Sequence, residues 1–105
     1  MSDGRTTWHL YLLRTRDGSL YAGISNDVER RLAEHEATGA RSSRYLRGRG
    51  PLRLEYQRRI GNRALALRVE HRVKRLTKQR KEHLVTTRPT KRRLLDILAI
   101  RDPHA

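Results

Sequence analysis

The sequence predicts an α+β domain: a β-hairpin, a third strand and several short amphipathic helices, with an additional helix at the C-terminus. Three observations carry this. Apolar residues alternate over residues 8–14 and return over residues 20–24, on either side of the turn signal Asp17-Gly18. They alternate again at Leu52, Leu54 and Tyr56. Elsewhere they recur at helical spacing behind capping residues, as in Asn62 followed by Leu65, Val69 and Val73. A chain of 105 residues is one domain with a modest core, and without Phe that core is built from Leu, Val, Ile and Ala.

Taken in order, residues 1–7 are polar and are expected to be flexible. In the first strand, residues 8–14, Trp8, Leu10 and Leu12 fall on one side and His9, Tyr11 and Leu13 on the other. The hairpin loop then decides what faces what. A two-residue turn at Asp17-Gly18 would pair Tyr11 with Ile24 and put Tyr21 on the opposite face from Tyr11. A three-residue loop, Arg16-Asp17-Gly18, puts Gly18 at a left-handed position with a bulge. It pairs Tyr11 with Gly23 and Leu13 with Tyr21, so both tyrosines share a face. The three-residue loop is the expected one.

Asn26-Asp27-Val28-Glu29 reads as a helix start, a cap with an acid three residues on. At the helical repeat, Val28, Arg31, Leu32 and His35 share an arc of about 100°. Arg31 and His35 therefore flank the buried stripe, while Arg30 is solvated. Residues 37–51 read as a loop in which Arg41, Arg44, Arg47 and Arg49, with Tyr45, suit backbone-phosphate contact and base stacking. The third strand runs from Leu52 to about Ile60. Asn62 caps a helix carrying Leu65, Val69, Val73 and Leu76, and Thr77 caps a shorter one reaching about Val85. Arg88-Pro89 breaks the pattern. Residues 90–100 form a last amphipathic helix with Leu94, Leu95, Ile97, Leu98 and Ile100.

The formal net charge is +14. Like charges repel in a compact state, and a polyanionic partner relieves that repulsion, so nucleic acid is the expected partner. A membrane surface would need a basic amphipathic helix with bulky apolar anchors, which only the last 20 residues could supply. Of 25 basic residues four are lysine (Lys74, Lys78, Lys81, Lys91). The arginine excess suits bidentate phosphate contacts but also follows from GC-rich codon usage. The absence of cysteine excludes disulfides and thiolate zinc sites. No apolar run has signal-peptide or membrane-spanning length, so a cytoplasmic, membrane-free protein is expected.

The residues that bear chemistry are Tyr11, Tyr21, Gly23, Arg31, His35 and Glu70. Each has an ordinary reading: half-buried strand tyrosines, a core-edge histidine, an arginine in an ion pair, a Glu70–Lys74 pair at i,i+4. Their joint order and spacing suit phosphodiester hydrolysis instead. That reaction must deprotonate water, neutralise charge on the phosphorane and stabilise the leaving oxygen. A divalent ion commonly helps, and Mg²⁺ needs only one or two carboxylates.

On these residues the chain resembles the GIY-YIG nuclease superfamily, in particular its small stand-alone bacterial members, the YhbQ-like group. The first signature stands here as His9-Leu10-Tyr11 and the second as Tyr21-Ala22-Gly23. The helix with Arg and His stands as residues 26–35, the loop into the third strand as residues 47–52, and the metal-helix segment as residues 64–70 and 73–76. The resemblance covers roughly residues 8–85, leaving 86–105 as a basic helical extension. It implies a three-stranded antiparallel sheet flanked by helices and a DNA endonuclease of low sequence specificity, with a setting in DNA repair or processing. It also implies one Mg²⁺ or Mn²⁺ on Glu70, and Tyr11 as general base. Arg31 would stabilise phosphorane charge, and Tyr21 and His35 would position water or phosphate. Gly23 would keep space open near the scissile phosphate, with Lys74 and the loop residues Arg41, Arg44, Tyr45, Arg47 and Arg49 among the nucleic-acid contacts. The literal Gly-Ile-Tyr and Tyr-Ile-Gly are absent, and Glu82 stands where many incision and homing members, though often not the small group, carry Asn. A non-catalytic nucleic-acid-binding protein of the same fold is the rival reading.

Overall fold

The loop Arg16-Asp17-Gly18 sets the register of the hairpin. In the computed structural model, which describes residues 7–38 and 51–102, Thr15 N donates to Ser19 O at 2.9 Å and Gly18 N to Thr15 O at 3.0 Å. Gly18 sits at φ 90°, a conformation that needs glycine. Strand β1 (Trp8–Arg14) therefore pairs antiparallel with β2 (Leu20–Ser25), Tyr11 opposite Gly23 and Leu13 opposite Tyr21, as the three-residue loop requires. Strand β3 (Arg53–Gly61) pairs antiparallel with the other edge of β1, giving the order β2-β1-β3. The fold is the expected three-stranded antiparallel sheet flanked by helices.

Four helices follow the capping signals with small shifts. Helix α1 (Val28–Thr38) is capped by Asp27, whose Oδ1 accepts from Arg30 N at 3.2 Å, and not by Asn26 as the spacing suggested. The Ser25 hydroxyl accepts from Asp27 N at 2.9 Å and so holds Asp27 in the capping position. Asn62 and Thr77 cap α2 (Arg63–Lys74) and α3 (Lys78–Thr87) as expected. Helix α3 runs two residues past Val85, because Arg88 ends it in the left-handed region at φ 48°. Helix α4 (Lys91–Ile97), capped by Thr90, is shorter than residues 90–100.

Both faces of the sheet are covered. On one, Leu10, Leu12, Ala22, Tyr56 and Ile60 pack with Leu65, Val69 and Val73 of α2, Leu84 of α3, and Leu94 and Leu95 of α4. On the other, Tyr11 and Leu13 pack with Val28 of α1 and the half-buried Tyr21, Leu32 and Leu54. Helix α4 thus belongs to the main core. The Tyr56 hydroxyl donates to Pro89 O at 2.6 Å, and Arg72 donates to Leu98 O at 2.7 Å, so polar contacts hold the C-terminal segment as well.

One ion-pair cluster locks α3 to the hairpin. Arg14 Nε donates to Glu55 at 2.8 Å, and both its terminal nitrogens reach the Glu82 carboxylate, Nη2 at 2.8 Å. Lys78 adds a contact to Glu82 at 3.0 Å, and Arg14 and Lys78 both donate to Gly18 O, at 3.1 and 2.9 Å. Glu82 is therefore committed to structure.

Candidate active site

Strand alternation and one turn of α1 bring the site together. Tyr11 and Tyr21 project from the face that α1 covers, and Arg31 and His35, four residues apart, project from α1 toward them. Tyr11 Oη lies 3.3 Å from His35 Nε2. The His35 ring centroid is 6.4 Å from that of Tyr11 and 6.2 Å from that of Tyr21, the latter edge-on. Arg31 stands close enough to the Tyr11 phenol for its side chain and charge to act on the phenol's ionisation. Tyr11 and His35 are 3% and 2% exposed, so both work in a largely desolvated setting. The Arg30 side chain on the far side of α1 is 75% exposed.

Glu70 and Lys74 approach from α2. The Glu70 side chain is 19% exposed and lies 3.6 Å from Lys74 Nζ. Lys74 Nζ in turn sits 5.5 Å from the centroid of the Tyr21 ring. The i,i+4 ion pair therefore exists, and it stands beside the tyrosines. Glu70 is near enough to act on the charge of Tyr11.

Gly23 lies directly under the Tyr11 ring. A Cβ built there would meet the phenol carbon Cζ and oxygen at 2.5 Å. The space beside Gly23 is thus filled by Tyr11, where the resemblance implied room for a phosphate.

Burial sets the protonation states. It is the largest effect pushing the Tyr11 phenol up to about 12, followed by Tyr21. The hydrogen bond and charge of Arg31 oppose this, and Glu70 reinforces it. Burial, then the Arg31 charge, lowers His35 from its usual range, so its ring is neutral at pH 7. Among the described residues, Nδ1 of His35 is buried without a partner. An orphaned N–H costs more than an orphaned lone pair, which favours the tautomer that donates from Nε2 to Tyr11.

His9, two residues before Tyr11 on the same side of β1, was not singled out by spacing. Its Nδ1 is also buried and unpartnered among the described residues, and alternation alone could have flagged it. The Arg14–Glu82 pair spans 68 residues and had no periodic signal. The expected contacts Arg41, Arg44, Tyr45, Arg47 and Arg49 lie outside the described residues.

Among the described residues no three or more His, Asp and Glu side chains converge as a cage for a metal ion. What stands at the site is one half-buried carboxylate, Glu70, beside a tyrosine pair. That donor set fits Mg²⁺ or Mn²⁺ held by one protein oxygen ligand and completed by water and substrate phosphate. No helix of the described residues is long and apolar enough to cross a membrane.

The hairpin with paired tyrosines, the Arg–His helix and the acid-bearing α2 together define a catalytic domain of known type. Residues 7–83 match the family model described as the GIY-YIG catalytic domain, and the chain belongs to that family. Family membership points to a nuclease, and within that class to an endonuclease. The chain is similar to the UPF0213 protein YhbQ of Salmonella typhimurium, 50% identical over 93 residues that span 89% of this chain and 91% of that relative. It is 52% identical over 89 residues to a UPF0213 protein of Yersinia pestis, spanning 85% and 90% of the two chains. The solution NMR structure of the UPF0213 protein of Bacillus halodurans superposes with a TM-score of 0.51 at 34% identity, covering 90% of this chain and 99% of that one.

Proposed function

We propose that this protein is a divalent-metal-dependent endonuclease that hydrolyses DNA phosphodiesters with low sequence specificity, in DNA repair or processing in the cytoplasm. The observation that carries the reading is the buried contact between Tyr11 Oη and His35 Nε2, 3.3 Å apart, with the Arg31 charge acting on the same phenol. The His35 contact and the Arg31 charge favour negative charge on the phenol against the burial that opposes it, which a purely structural tyrosine does not need.

In this reading Tyr11 as phenolate takes a proton from the attacking water. His35 Nε2–H and Arg31 hold the phenolate oxygen in place. The water oxygen bonds to phosphorus, the ester bond to the leaving oxygen breaks, and that oxygen takes up a proton from solvent. Arg31, charged at any working pH, faces the phosphorane as well as the phenol. Tyr21, edge-on to His35, positions water or phosphate. Glu70 would hold the divalent ion, which supplies positive charge at the phosphate and leaving oxygen. Lys74 is freed from Glu70 to reach the DNA backbone.

The test is cleavage of duplex, single-stranded and branched DNA, and of RNA, by wild type and Glu70→Ala with Mg²⁺ or Mn²⁺. Metal-dependent cleavage of DNA that is lost in Glu70→Ala, with DNA binding in EDTA retained, is the expected result. A wild-type protein that binds but cuts none of the DNAs is instead a nucleic-acid-binding module on the same fold.

A further inference from the structure

We infer that the helical layer on the face of the sheet opposite the tyrosines is a second nucleic-acid surface, so that one molecule holds two duplex segments at once. The charge of the chain is unevenly divided. Residues 7–38, which build most of the tyrosine site, carry four arginines against five acids. Residues 63–102, which form α2, α3 and α4, carry thirteen Arg and Lys against four acids. These helices cover the Leu10–Leu12 face and the tyrosines project from the other, with Glu70 and Lys74 of α2 reaching the tyrosine site. Residues 75–102, which form α3 and α4, still carry nine Arg and Lys against three acids.

The surplus is not neutralised within the layer. Its ion pairs are Lys74–Glu70, Lys78–Glu82 with Arg14, and Lys91–Asp102. Among the described residues, Arg68, Arg75, Arg80, Lys81, Arg92 and Arg93 pair with no carboxylate. Arg80 and Arg93 line one groove of about 800 Å³ on α3 and α4, together with the more buried Leu76 and Ile97 and with Gln79 and His83. The groove's acid, Glu82, is held by Arg14 and Lys78. Two guanidinium groups lining one groove and paired with no carboxylate suit contacts to backbone phosphates.

A lipid surface fits less well. Leu94 and Leu95 of α4 and Leu98 at its C-cap are buried in the core at 0–4% exposure, and Ile97 of α4 is half-buried, so the helix offers no exposed apolar anchors for a bilayer. Among the described residues the exposed large hydrophobic side chain is Leu67.

This inference takes from the proposed function only that the tyrosine face meets nucleic acid, and binding is read in EDTA, apart from cleavage. A short duplex is immobilised and saturated with protein whose monomeric state is set by sedimentation, and capture of a second, labelled duplex is measured. Wild type is expected to retain the labelled duplex. Arg80→Glu/Arg93→Glu is expected to lose about ten-fold or more of that retention and to lower its salt slope by about 2, while cutting a single duplex within two-fold of wild type. Arg80→Gln/Arg93→Gln, with a smaller charge change, should fall between, and circular dichroism of each variant must match wild type. The inference is overturned if wild type retains no second duplex. It is equally overturned if Arg80→Glu/Arg93→Glu retains it with an unchanged salt slope, or if anionic vesicles are held and duplex is not. Retention without cleavage by any protein would leave the second surface standing and sink the nuclease reading alone.

Discussion

The ring of Tyr11 rests on the bare Cα of Gly23, its antiparallel partner across the hairpin, so closely that a Cβ on residue 23 would stand 2.5 Å from the phenol oxygen. The glycine is what lets the phenol lie flat across β2 toward His35. Gly23→Ala must push the ring away, because the clash is with a buried aromatic group and not with a flexible side-chain end. Overpacking of this kind costs about 1–3 kcal/mol, and misplacing a catalytic group by about 1 Å can cost a hundredfold in rate. Thermal unfolding and single-turnover cleavage of Gly23→Ala measure the two effects. Full activity in this variant would show that the Tyr11 position does not matter to the chemistry.

Tyr11 and Arg31 determine how cleavage depends on pH. With the phenol pushed up to about 12, the reactive phenolate is a small fraction at neutral pH and grows about tenfold per pH unit. Log kcat/KM should therefore rise with a slope near 1 from pH 7 to 9. Arg31 lowers the phenol through its hydrogen bond and charge, so Arg31→Gln should move the rise to higher pH as well as reduce the rate. A flat profile in wild type would rule out Tyr11 as the base.

Glu70 has two partners to satisfy, and stability separates them. Its pair with Lys74 is an i,i+4 contact on a half-exposed helix edge, of a kind worth about 0.3–0.5 kcal/mol. Glu70→Gln should therefore leave chemical denaturation within about 0.5 kcal/mol of wild type. If the residue is the ion's ligand, the same variant loses cleavage at least a hundredfold and the wild-type response to added Mn²⁺. A large loss of stability with cleavage intact would reduce Glu70 to a helix-surface ion pair.

What could be read from the sequence was whatever the chain encodes locally. The hairpin register followed from one loop, since adding a single residue between Thr15 and Ser19 decides whether Tyr21 faces Tyr11. The arc that places Arg31 and His35 followed from helical geometry. The Asn62 and Thr77 caps stand immediately before the helices they start. What escaped depends on tertiary contact. Asp27 displaced Asn26 as cap because Ser25 holds it from the end of β2. The apolar spacing of the last helix suggested that it packs on the domain, but not that Leu94 and Leu95 share one core with Leu10 and Leu12, more than 80 positions away. The reason for Gly23 likewise lies across the sheet.

The partners of Glu82 make it a stability element with a defined pH window. Hydrogen bonds from Arg14, then Lys78, hold its carboxyl down at about 2. A depressed carboxyl stabilises the fold above its unfolded value near 4.5, and that contribution is lost as pH falls toward 2. Glu55, lowered by the same Arg14, acts in the same direction. Tm of wild type should therefore fall as pH drops through 4.5 toward 2. Glu82→Gln should start from a lower Tm at pH 7 and fall less steeply over that window, because its amide does not titrate. Its loosened grip on Arg14 should show as faster amide exchange at Gly18, whose carbonyl the Arg14 and Lys78 side chains share. Parallel melting curves for the two proteins from pH 7 to pH 2 would mean that Glu82 contributes no linked stability.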